Sequence, residues 1–340
     1  MPGDFRIPQC FTVARVEPVL AKPKFHSFTN KVTFIWGESC CGQKKHGPQT
    51  APPLVCSDEF LEKIVKPLGW EPSILRVNQI FKPSPPESPC FQPSCVAETC
   101  MAIRHAVDQA VTDSSFPIMI GGDHCLSMGS VLASAQRHKD LIVLWFDAHA
   151  DINTPETSPS GNMHGMPVAA LLGLEAMKQA AGFSEGEFTC LSPDRLGYVG
   201  LRDVDPGELE TIKALGISTA YNMDDLARDG IKRQVQKLLD KLNPNRDKPI
   251  HISFDVDGMD PLDAPSTGTP VPGGLRLHEA IDMVREIRET GCLVSFDVVE
   301  VNPALGSPQD VQVTITNARW IIANALGHLP PVVPIPSDAA

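Results

Sequence analysis

Short apolar runs rich in β-branched residues alternate with longer helix-like segments along this chain, and this alternation constrains its fold more than any other feature. Six runs read as buried strands: residues 31–37, 116–122, 141–149, 195–203, 249–257 and 292–300. Four segments between them have the apolar spacing of helices: residues 94–111, 168–177, 231–242 and 277–291. Strand and helix in alternation predict a parallel sheet with helices on both faces.

No linker-like break divides this pattern, so we expect one domain rather than two. The predicted fold is α/β, a single-domain parallel sheet of about eight strands with helices on both faces. We assign residues 31–326 to this domain, residues 1–30 to an amino-terminal extension that can be flexible, and residues 327–340 to a Pro-rich tail without helix. The proline-dense segment 81–93 is predicted to be an extended surface loop.

The chain is acidic, with 41 Asp and Glu against 29 Lys and Arg and a formal net charge of -12. This balance disfavours a nucleic-acid or anionic-membrane partner and is compatible with a cationic substrate. No apolar run approaches the ~20 residues of a spanning helix. Residues 1–20 are interrupted by charges and prolines, unlike a secretory signal, and the first 30 residues are at most a weak organellar leader. We expect cytoplasmic residence, with a mitochondrial location as the alternative.

The ten cysteines are irregularly spaced and include the adjacent pair Cys40 and Cys41. They match neither a C-x-x-C zinc pattern nor a small disulfide framework. We therefore expect reduced thiols in an intracellular protein.

Four of the six predicted strands end in clusters of polar residues. These clusters are GGDH at 121–124, DAHAD at 147–151, DVDGMD at 255–260 and DVVE at 297–300. In a parallel α/β sheet, the carboxyl ends of the strands and the loops that follow them form the ligand site. The four clusters are therefore predicted to meet at one edge of the sheet.

Spacing within two clusters predicts that their side chains converge. Asp147, His149 and Asp151 are two residues apart, so they point the same way along an extended chain. The same spacing pairs Asp255 with Asp257. Four carboxylates in a shielded cleft repel one another strongly unless cations neutralise them. Two divalent ions would do so and leave room for a bridging hydroxide.

His124 follows two glycines that allow a tight turn and is a further candidate ligand. A set of four Asp and two His without Cys suits manganese better than the thiolate-rich sites of structural zinc. A single Asp at a strand end is usually a helix cap, but capping does not account for six such residues at several strand ends. We therefore predict a site for two Mn²⁺ ions.

The motifs resemble those of the arginases, a ureohydrolase family of binuclear manganese enzymes. The resemblance rests on stretches that run in family order from Gly121 to Pro303: GGDH, DAHADINTP, SGNMHG, GLRDVDPGE, SFDVDGMDP, TGTPVPGGL and DVVEVNP. It implies an arginase-like fold and a hydrolase of a linear amidine C–N bond. The implied reaction converts L-arginine and water to L-ornithine and urea through a metal-bridging hydroxide, as in the urea cycle.

The resemblance also assigns the metal ligands. One manganese ion would be held by His124, Asp147, Asp151 and Asp255, and the other by His149, Asp147, Asp255 and Asp257. Asp147 and Asp255 would then bridge the two ions. Asp151 would also be catalytic, because it would orient the hydroxide and pass its proton to the departing amine.

Three further residues acquire roles by the resemblance. Glu300 would accept the guanidinium, a planar and permanently charged group whose forked donors match a carboxylate. His164 would shuttle protons between the metal site and solvent, a role that suits its near-neutral pKa. Thr269 would lie beside the metal-site cleft.

The amino-acid end of the substrate is predicted to meet two groups of polar residues. Asn153, Ser160 and Asn162 are small neutral donors suited to the α-carboxylate. Agmatine lacks that carboxylate, so this set favours arginine. Agmatinase or another guanidino-substrate ureohydrolase is the alternative function.

The α-ammonium is predicted to meet acidic residues. Asp205, with Asp203 and Glu208, offers the negative charge that this group needs. Capping of a helix that begins near Pro206 is the alternative role for the three, and Asp205 can have both.

Some positions depart from the family pattern. Cys125 occurs where many relatives have Ser, His46 where Gly is frequent, and His278 where many members have an Arg near the subunit contacts. The resemblance implies a homo-oligomer, a trimer, and His278 weakens that implication. A non-catalytic metal-binding protein would be marked by loss of a ligand or of Glu300, and none of these residues is lost.

Overall fold

The computed structural model describes residues 23–25, 30–217 and 220–327. The predicted extension 1–30 and tail 327–340 therefore lie almost entirely outside the described residues. Within the extension, the backbone N–H of Lys24 donates to the carbonyl of Gly291 at 2.9 Å, and Phe25 packs against the core. This short stretch contacts the body of the protein.

One eight-stranded sheet forms the centre of the structure, in the order β2-β1-β3-β8-β7-β4-β5-β6. Every neighbouring pair of strands is parallel. The strands are β1 Lys31–Glu38, β2 Glu71–Asn78, β3 Phe116–Ile120, β4 Ile142–Phe146, β5 Leu196–Leu201, β6 Ala220–Asn222, β7 Ile250–Asp255 and β8 Leu293–Val299. The predicted fold class is confirmed.

Helices cover the sheet, and several begin with Pro, whose fixed φ and missing N–H suit the first helical position. They are α1 Pro52–Val55, α2 Asp58–Phe60, α3 Pro93–Thr112, α4 Ser127–Arg137, α5 Pro167–Leu171, α6 Pro206–Ala214, α7 Met223–Asp229, α8 Ile231–Leu242, α9 Leu277–Glu289 and α10 Pro308–Ala325. None of the helices in the described part of the chain is long and apolar enough to cross a membrane.

In the central strands, alternate residues pack into separate cores on the two faces of the sheet. In β4, Ile142, Leu144 and Phe146 belong to one core, whereas Val143 and Trp145 belong to the other. All five side chains are fully buried, and each burial stabilises the fold by roughly 1.5–3 kcal/mol. A strand that is apolar on both faces reads as a continuous apolar run, which is why the sequence indicates it.

Two strands, β2 and β6, were not predicted, and neither were the helices α1, α2, α4, α7 and α10. β2 and β6 are the edges of the sheet; β2 is largely exposed and β6 is only three residues long, so neither has a continuous apolar run. The segment 168–177 is not one helix, because α5 ends at Leu171 and Gly173 adopts a φ of 68°. Residues 79–92 form neither strand nor helix, as expected for the proline-dense loop.

The register of the four central strands aligns three residues that precede polar clusters with Val298, which lies inside the fourth cluster. Ile120 of β3 pairs with Val298 of β8, Val298 with Phe254 of β7, and Phe254 with Phe146 of β4. These four residues form one row across the sheet, and the polar clusters lie at or directly after this row. The clusters after these strands therefore lie side by side at the carboxyl edge.

Candidate active site

The six predicted metal ligands meet at this edge in two groups that share one residue. In the first group, the Nδ1 atom of His124 lies 2.9 Å from a carboxylate oxygen of Asp147, 2.9 Å from Asp151 and 3.2 Å from Asp255. The Asp147 oxygen in this group is Oδ2. Asp147 therefore keeps its other oxygen for a second group.

In the second group, the Nδ1 atom of His149 lies 3.1 Å from Oδ1 of Asp147 and 3.3 Å from Oδ2 of Asp257. Among the described residues, the His and acidic side chains that could hold a metal ion gather in these same two places. The two carboxylate oxygens of Asp147 face different groups, as expected of a residue between two cations.

Local backbone structure directs these carboxylates. Oδ1 of Asp255 accepts a hydrogen bond from the Asp257 N–H at 2.8 Å, and Oδ1 of Asp257 accepts one from the Ala148 N–H at 3.2 Å. The Oδ2 atom of each residue is left for the cleft. Each of these carboxylates therefore caps a backbone N–H with one oxygen and presents its other oxygen to the cleft.

Two residues of the site hold a left-handed backbone, with φ of 52° at Asp151 and 64° at Glu300. This conformation costs a residue with a side chain roughly 1–3 kcal/mol. The carbonyl of Asp151 accepts from the Val168 N–H, and the N–H of Glu300 donates to the Gly122 carbonyl, both at 2.9 Å. These contacts hold both side chains at the carboxyl edge.

The atoms in the first group are better placed to coordinate a metal ion than to form hydrogen bonds with one another. His124 Nδ1 and Asp151 Oδ2 are buried and make no hydrogen bond, a state that costs about 1–3 kcal/mol per atom when nothing else pairs them. Ligands of one octahedral ion with bonds of about 2.1 Å lie about 3 Å apart, close to the separations found here. The residues present therefore fit a divalent cation.

Contacts behind His124 fix its ring. Its Nε2 atom lies 2.9 Å from the Ser253 hydroxyl, which in turn donates to Ser127 at 2.9 Å. The ring also stacks on Trp145, with centroids 4.1 Å apart. Partners of this kind orient a metal-binding histidine, so that Nδ1 faces the carboxylates.

The charges of the group also call for a cation. Burial opposes protonation of His124, but the three surrounding carboxylates raise its pKa well above the ordinary value. Burial and neighbouring charges raise the pKa of Asp151 to about 7 and raise that of Asp255 as well. Protons would thus be held between these groups without a metal, and metal binding would displace them.

Glu300 lies beside the first group and is 2% exposed. Gln43 Nε2 donates to both of its carboxylate oxygens at 2.8 Å, the His124 N–H donates at 3.0 Å, and His164 Nδ1 lies 3.1 Å away. Burial would raise the pKa of Glu300, but hydrogen bonds from His164 and Gln43 hold it below its ordinary value. Gln43 was not predicted to be a site residue.

A cavity of about 200 Å³ opens above these groups. Its lining includes twelve predicted residues: His124, His149, Asp151, Asn153, Ser160, His164, Asp203, Asp205, Glu208, Asp255, Asp257 and Thr269. Ser158, Pro159 and Gly165 also line it and were not predicted. Asp147, Asn162 and Glu300 lie outside this lining, although Asp147 and Glu300 contact residues within it.

The residues predicted for the amino-acid end, except Asn162, line the rim of this cavity. Asn153 Nδ2 donates to Asp205 Oδ2 at 2.9 Å, so these two side chains act as one polar unit. Asp203 is 68% exposed. Thr269 lies deeper, where its hydroxyl donates to Asp257 Oδ2 at 2.8 Å.

Glu208 has the capping role that was the alternative for the acidic group. Its two oxygens accept hydrogen bonds from the N–H groups of Ile152 and Asp205, each at 3.0 Å, and it belongs to the capping box of α6. Burial raises its pKa to about 7. It therefore holds the residue after Asp151 against the start of α6.

A doubly covered parallel sheet whose carboxyl edge gathers two His and four Asp that could hold metal ions has the site of a metal-dependent enzyme. The Arginase family model matches residues 74–327 of the chain. The chain belongs to the arginase family and is a hydrolase of the guanidino C–N bond. Arginase of Schizosaccharomyces pombe is 38% identical over 304 residues, which cover 88% of this chain and 93% of that protein.

Solved structures agree with this assignment. An arginase from Bacillus caldovelox superposes with a TM-score of 0.78 and 32% identity, over 88% of this chain and 99% of that chain. An Entamoeba histolytica arginase in complex with L-ornithine superposes with a TM-score of 0.77 and 30% identity, over 89% of this chain and 100% of that chain. The predicted family and arginase-like fold are confirmed.

Proposed function

We propose that the protein hydrolyses L-arginine to L-ornithine and urea with two Mn²⁺ ions bound at the carboxyl edge of the sheet. One observation carries the proposal: two histidine Nδ1 atoms each converge on carboxylate oxygens, and the two oxygens of Asp147 face different histidines. The ornithine bound by the Entamoeba histolytica relative supports an arginine-derived ligand.

The six ligands are proposed in the sets that the motifs imply. His124, Asp147, Asp151 and Asp255 would hold one ion, and His149, Asp147, Asp255 and Asp257 the other. When bound, the ions would make a water molecule more acidic and stabilise the charge that develops during attack on the substrate. A donor set without thiolate favours manganese over zinc.

Glu300 is proposed to bind the guanidinium. Its carboxylate is buried, and Gln43 Nε2 donates to both of its oxygens, which fixes the carboxylate plane. A Cβ added to Gly268 would lie 3.8 Å from Oε2 of Glu300, so the glycine leaves space on that side. A fixed, desolvated carboxylate pairs strongly with a guanidinium donor.

His164 is proposed to move protons between solvent and the reacting groups. Its side chain is 21% exposed and lines the cavity, while its Nδ1 atom lies 3.1 Å from Glu300. The backbone N–H of His164 donates to the Gly42 carbonyl at 3.2 Å, which holds the residue in place. Asp151, with its buried Oδ2, is proposed to take a proton and deliver it to the departing amine.

The amino-acid end of arginine is proposed to bind at the rim. Asn153, Ser160 and Asn162 would donate to the α-carboxylate, and Asp205 with Asp203 would pair with the α-ammonium. Asn162 does not line the cavity. Glu208 would act indirectly, because it accepts a hydrogen bond from the backbone N–H of Asp205. Thr269 would orient Asp257.

The test is urea release from arginine, agmatine and 4-guanidinobutyrate, with and without added manganese. We expect manganese-dependent turnover, and a kcat/KM for arginine about a thousandfold above that for agmatine, because rim groups built for a carboxylate lose their partner in agmatine. A ratio near one, or one favouring agmatine, would contradict the arginase reaction and leave a metal-dependent guanidino hydrolase. Turnover that is unaffected by a chelator would contradict the metal assignment.

We further propose that residues 31–326 form the catalytic domain and that the protein is a homo-oligomer, a trimer by resemblance. Sedimentation of the full chain tests the trimer, and a monomer would contradict it.

Cytoplasmic residence is proposed on the free thiols of the described cysteines. Cell fractionation tests it, with recovery in mitochondria as the contrary result.

A further inference from the structure

The end of the proline-dense loop 81–93 packs against the rim of the active-site cavity. The backbone N–H of Phe91 donates to the carbonyl of Gly161 at 2.8 Å. Gly161 has a φ of 68°, and a Cβ added to it would lie 2.7 Å from the carbonyl oxygen of Pro89. Gly161 follows Ser160, which lines the cavity. The loop therefore holds in place the stretch that carries one proposed donor to the substrate.

Lys44 contacts both this loop and the rim. Its ammonium donates to the Ser160 carbonyl at 3.4 Å and lies 5.9 Å from the centre of the Phe91 ring. The electron-rich face of an aromatic ring attracts a cation at this distance. The preceding residue, Gln43, donates to Glu300, so the backbone of this segment is anchored at the site. An exposed lysine side chain thus extends from an anchored backbone to the rim.

The amino-acid end of the cavity lacks positive charge. Among the described residues that line the cavity, none is Lys or Arg. Two metal ions would offset the four aspartates of the proposed ligand sets, but Asp203 and Asp205 would remain negative beside the substrate. These two carboxylates attract the α-ammonium of arginine and repel its α-carboxylate. A cation beside Ser160 would offset that repulsion.

Lys44 is the cation best placed to do so. The guanidinium of Arg202 already donates to five backbone carbonyl groups, and Lys45 donates to the carbonyl of Gly268. An ammonium has three N–H donors, and the contact of Lys44 with Ser160 uses one of them. Within the described part of the chain, no carboxylate pairs with Lys44. Its other donors are therefore available to an anion at the rim.

We propose that Lys44 determines specificity by pairing with the α-carboxylate of the substrate, and that Phe91 positions its ammonium. The lysine donates to the carboxylate from one side while Ser160 and Asn153 donate from the rim. This inference rests on the proposed function, because it requires a substrate whose α-carboxylate lies at the rim. A substrate without that negative charge gains nothing from Lys44.

The experiment measures urea release by the manganese-loaded full chain from L-arginine and from L-argininamide. The amide keeps the α-ammonium and replaces the carboxylate with a neutral group. Lys44→Gln should raise KM for arginine and lower kcat/KM about threefold to fivefold, the range expected of an exposed ion pair. Its kcat should not change, because the pair forms equally in the bound substrate and in the transition state. The kinetics with argininamide should also not change, and Lys44→Arg should behave like the wild type.

Lys82→Gln is the matched control, because it removes the same charge from the proline-dense loop. Lys82 pairs with Glu98 and does not line the cavity, so this variant should keep the wild-type preference for arginine over argininamide. Added KCl should lower that preference in the wild type, since salt screens exposed pairs, and should have little effect on it in Lys44→Gln.

The role of Phe91 is tested by a double-mutant cycle. Phe91→Ala should lower the preference for arginine about twofold in the wild-type background, from loss of the contact between ammonium and ring. It should have no such effect in the Lys44→Gln background, because its effect passes through the lysine. An equal effect in both backgrounds would overturn the positioning role.

An unchanged ratio of kcat/KM for arginine to that for argininamide in Lys44→Gln would overturn the proposal and leave the proposed function intact. Equal falls for the two substrates would also overturn it, since Lys44 would then only support the rim loop. Wild-type protein that releases no urea from arginine would instead contradict the proposed function, and this inference with it.

Discussion

The floor and the rim of the active-site cavity are built in different ways. The floor consists of side chains at the ends of β3, β4 and β7, which hydrogen-bonded register holds in one row. The rim consists of loop residues, such as the partly exposed 158–160 and Asp203. A rigid floor suits the placement of metal ions, and loops suit the recognition of a variable substrate end. The comparison predicts that floor variants lose metal and rim variants keep it.

The largest effect is expected at Asp147, whose two oxygens face the two histidine groups. Asp147→Asn should lose bound manganese and lower turnover roughly a thousandfold or more, since even outer-shell changes cost about 10–100-fold. Metal analysis after gel filtration, together with urea release, measures both. Asp203→Asn, the same chemical change at the rim, should keep its metal. Full metal content in Asp147→Asn would contradict the floor assignment.

Glu300 lies below the rim but is not a proposed metal ligand. A variant of Glu300 therefore distinguishes an effect on substrate binding from an effect on metal binding. Glu300→Gln keeps the shape and removes the charge, and we expect a loss of about 2–5 kcal/mol, or roughly thirty-fold to several thousand-fold in turnover. Manganese content should not change. Near-normal turnover would show that the guanidinium is bound elsewhere.

Substitution of Asn153 should change substrate specificity rather than the rate of the chemical step. Asn153→Ala removes a proposed donor to the α-carboxylate, so kcat/KM for arginine should fall about tenfold while that for agmatine changes little, a loss of about 1.4 kcal/mol. The ratio of the two constants is the measurement. Equal falls for both substrates would mean that Asn153 acts only through its contact with Asp205.

Glu208 should have the smallest effect on turnover and a pH-dependent effect on stability. Its folded pKa of about 7 lies above the ordinary 4.5, so its contribution to stability is present below pH 4.5 and is lost as pH rises through about 7. The difference is at most about 3.5 kcal/mol, at about 1.4 kcal/mol per pKa unit. In urea unfolding of the metal-free protein, the free energy of unfolding of Glu208→Gln should rise relative to that of the wild type between pH 4.5 and about 7. A constant difference would contradict the shifted pKa.

The same contrast explains what the sequence could predict. The floor was predictable because alternate residues at strand ends share a direction and parallel strands end at one edge, which is where Asp147, His149 and Asp255 lie. The edge strand β2 was not, because its exposed residues lack an apolar run. Gln43 and Ser158 were also missed, since their positions depend on loop packing that no local spacing encodes.

The most direct test of the separation between floor and rim uses Asp205→Ala. Manganese content and the Kd for L-ornithine, measured on the same preparation, report on the floor and the rim respectively. We predict two manganese ions per chain and ornithine binding weakened about tenfold to a hundredfold, from loss of a charged partner worth about 1.5–3 kcal/mol. Loss of manganese, or an unchanged Kd, would contradict the account.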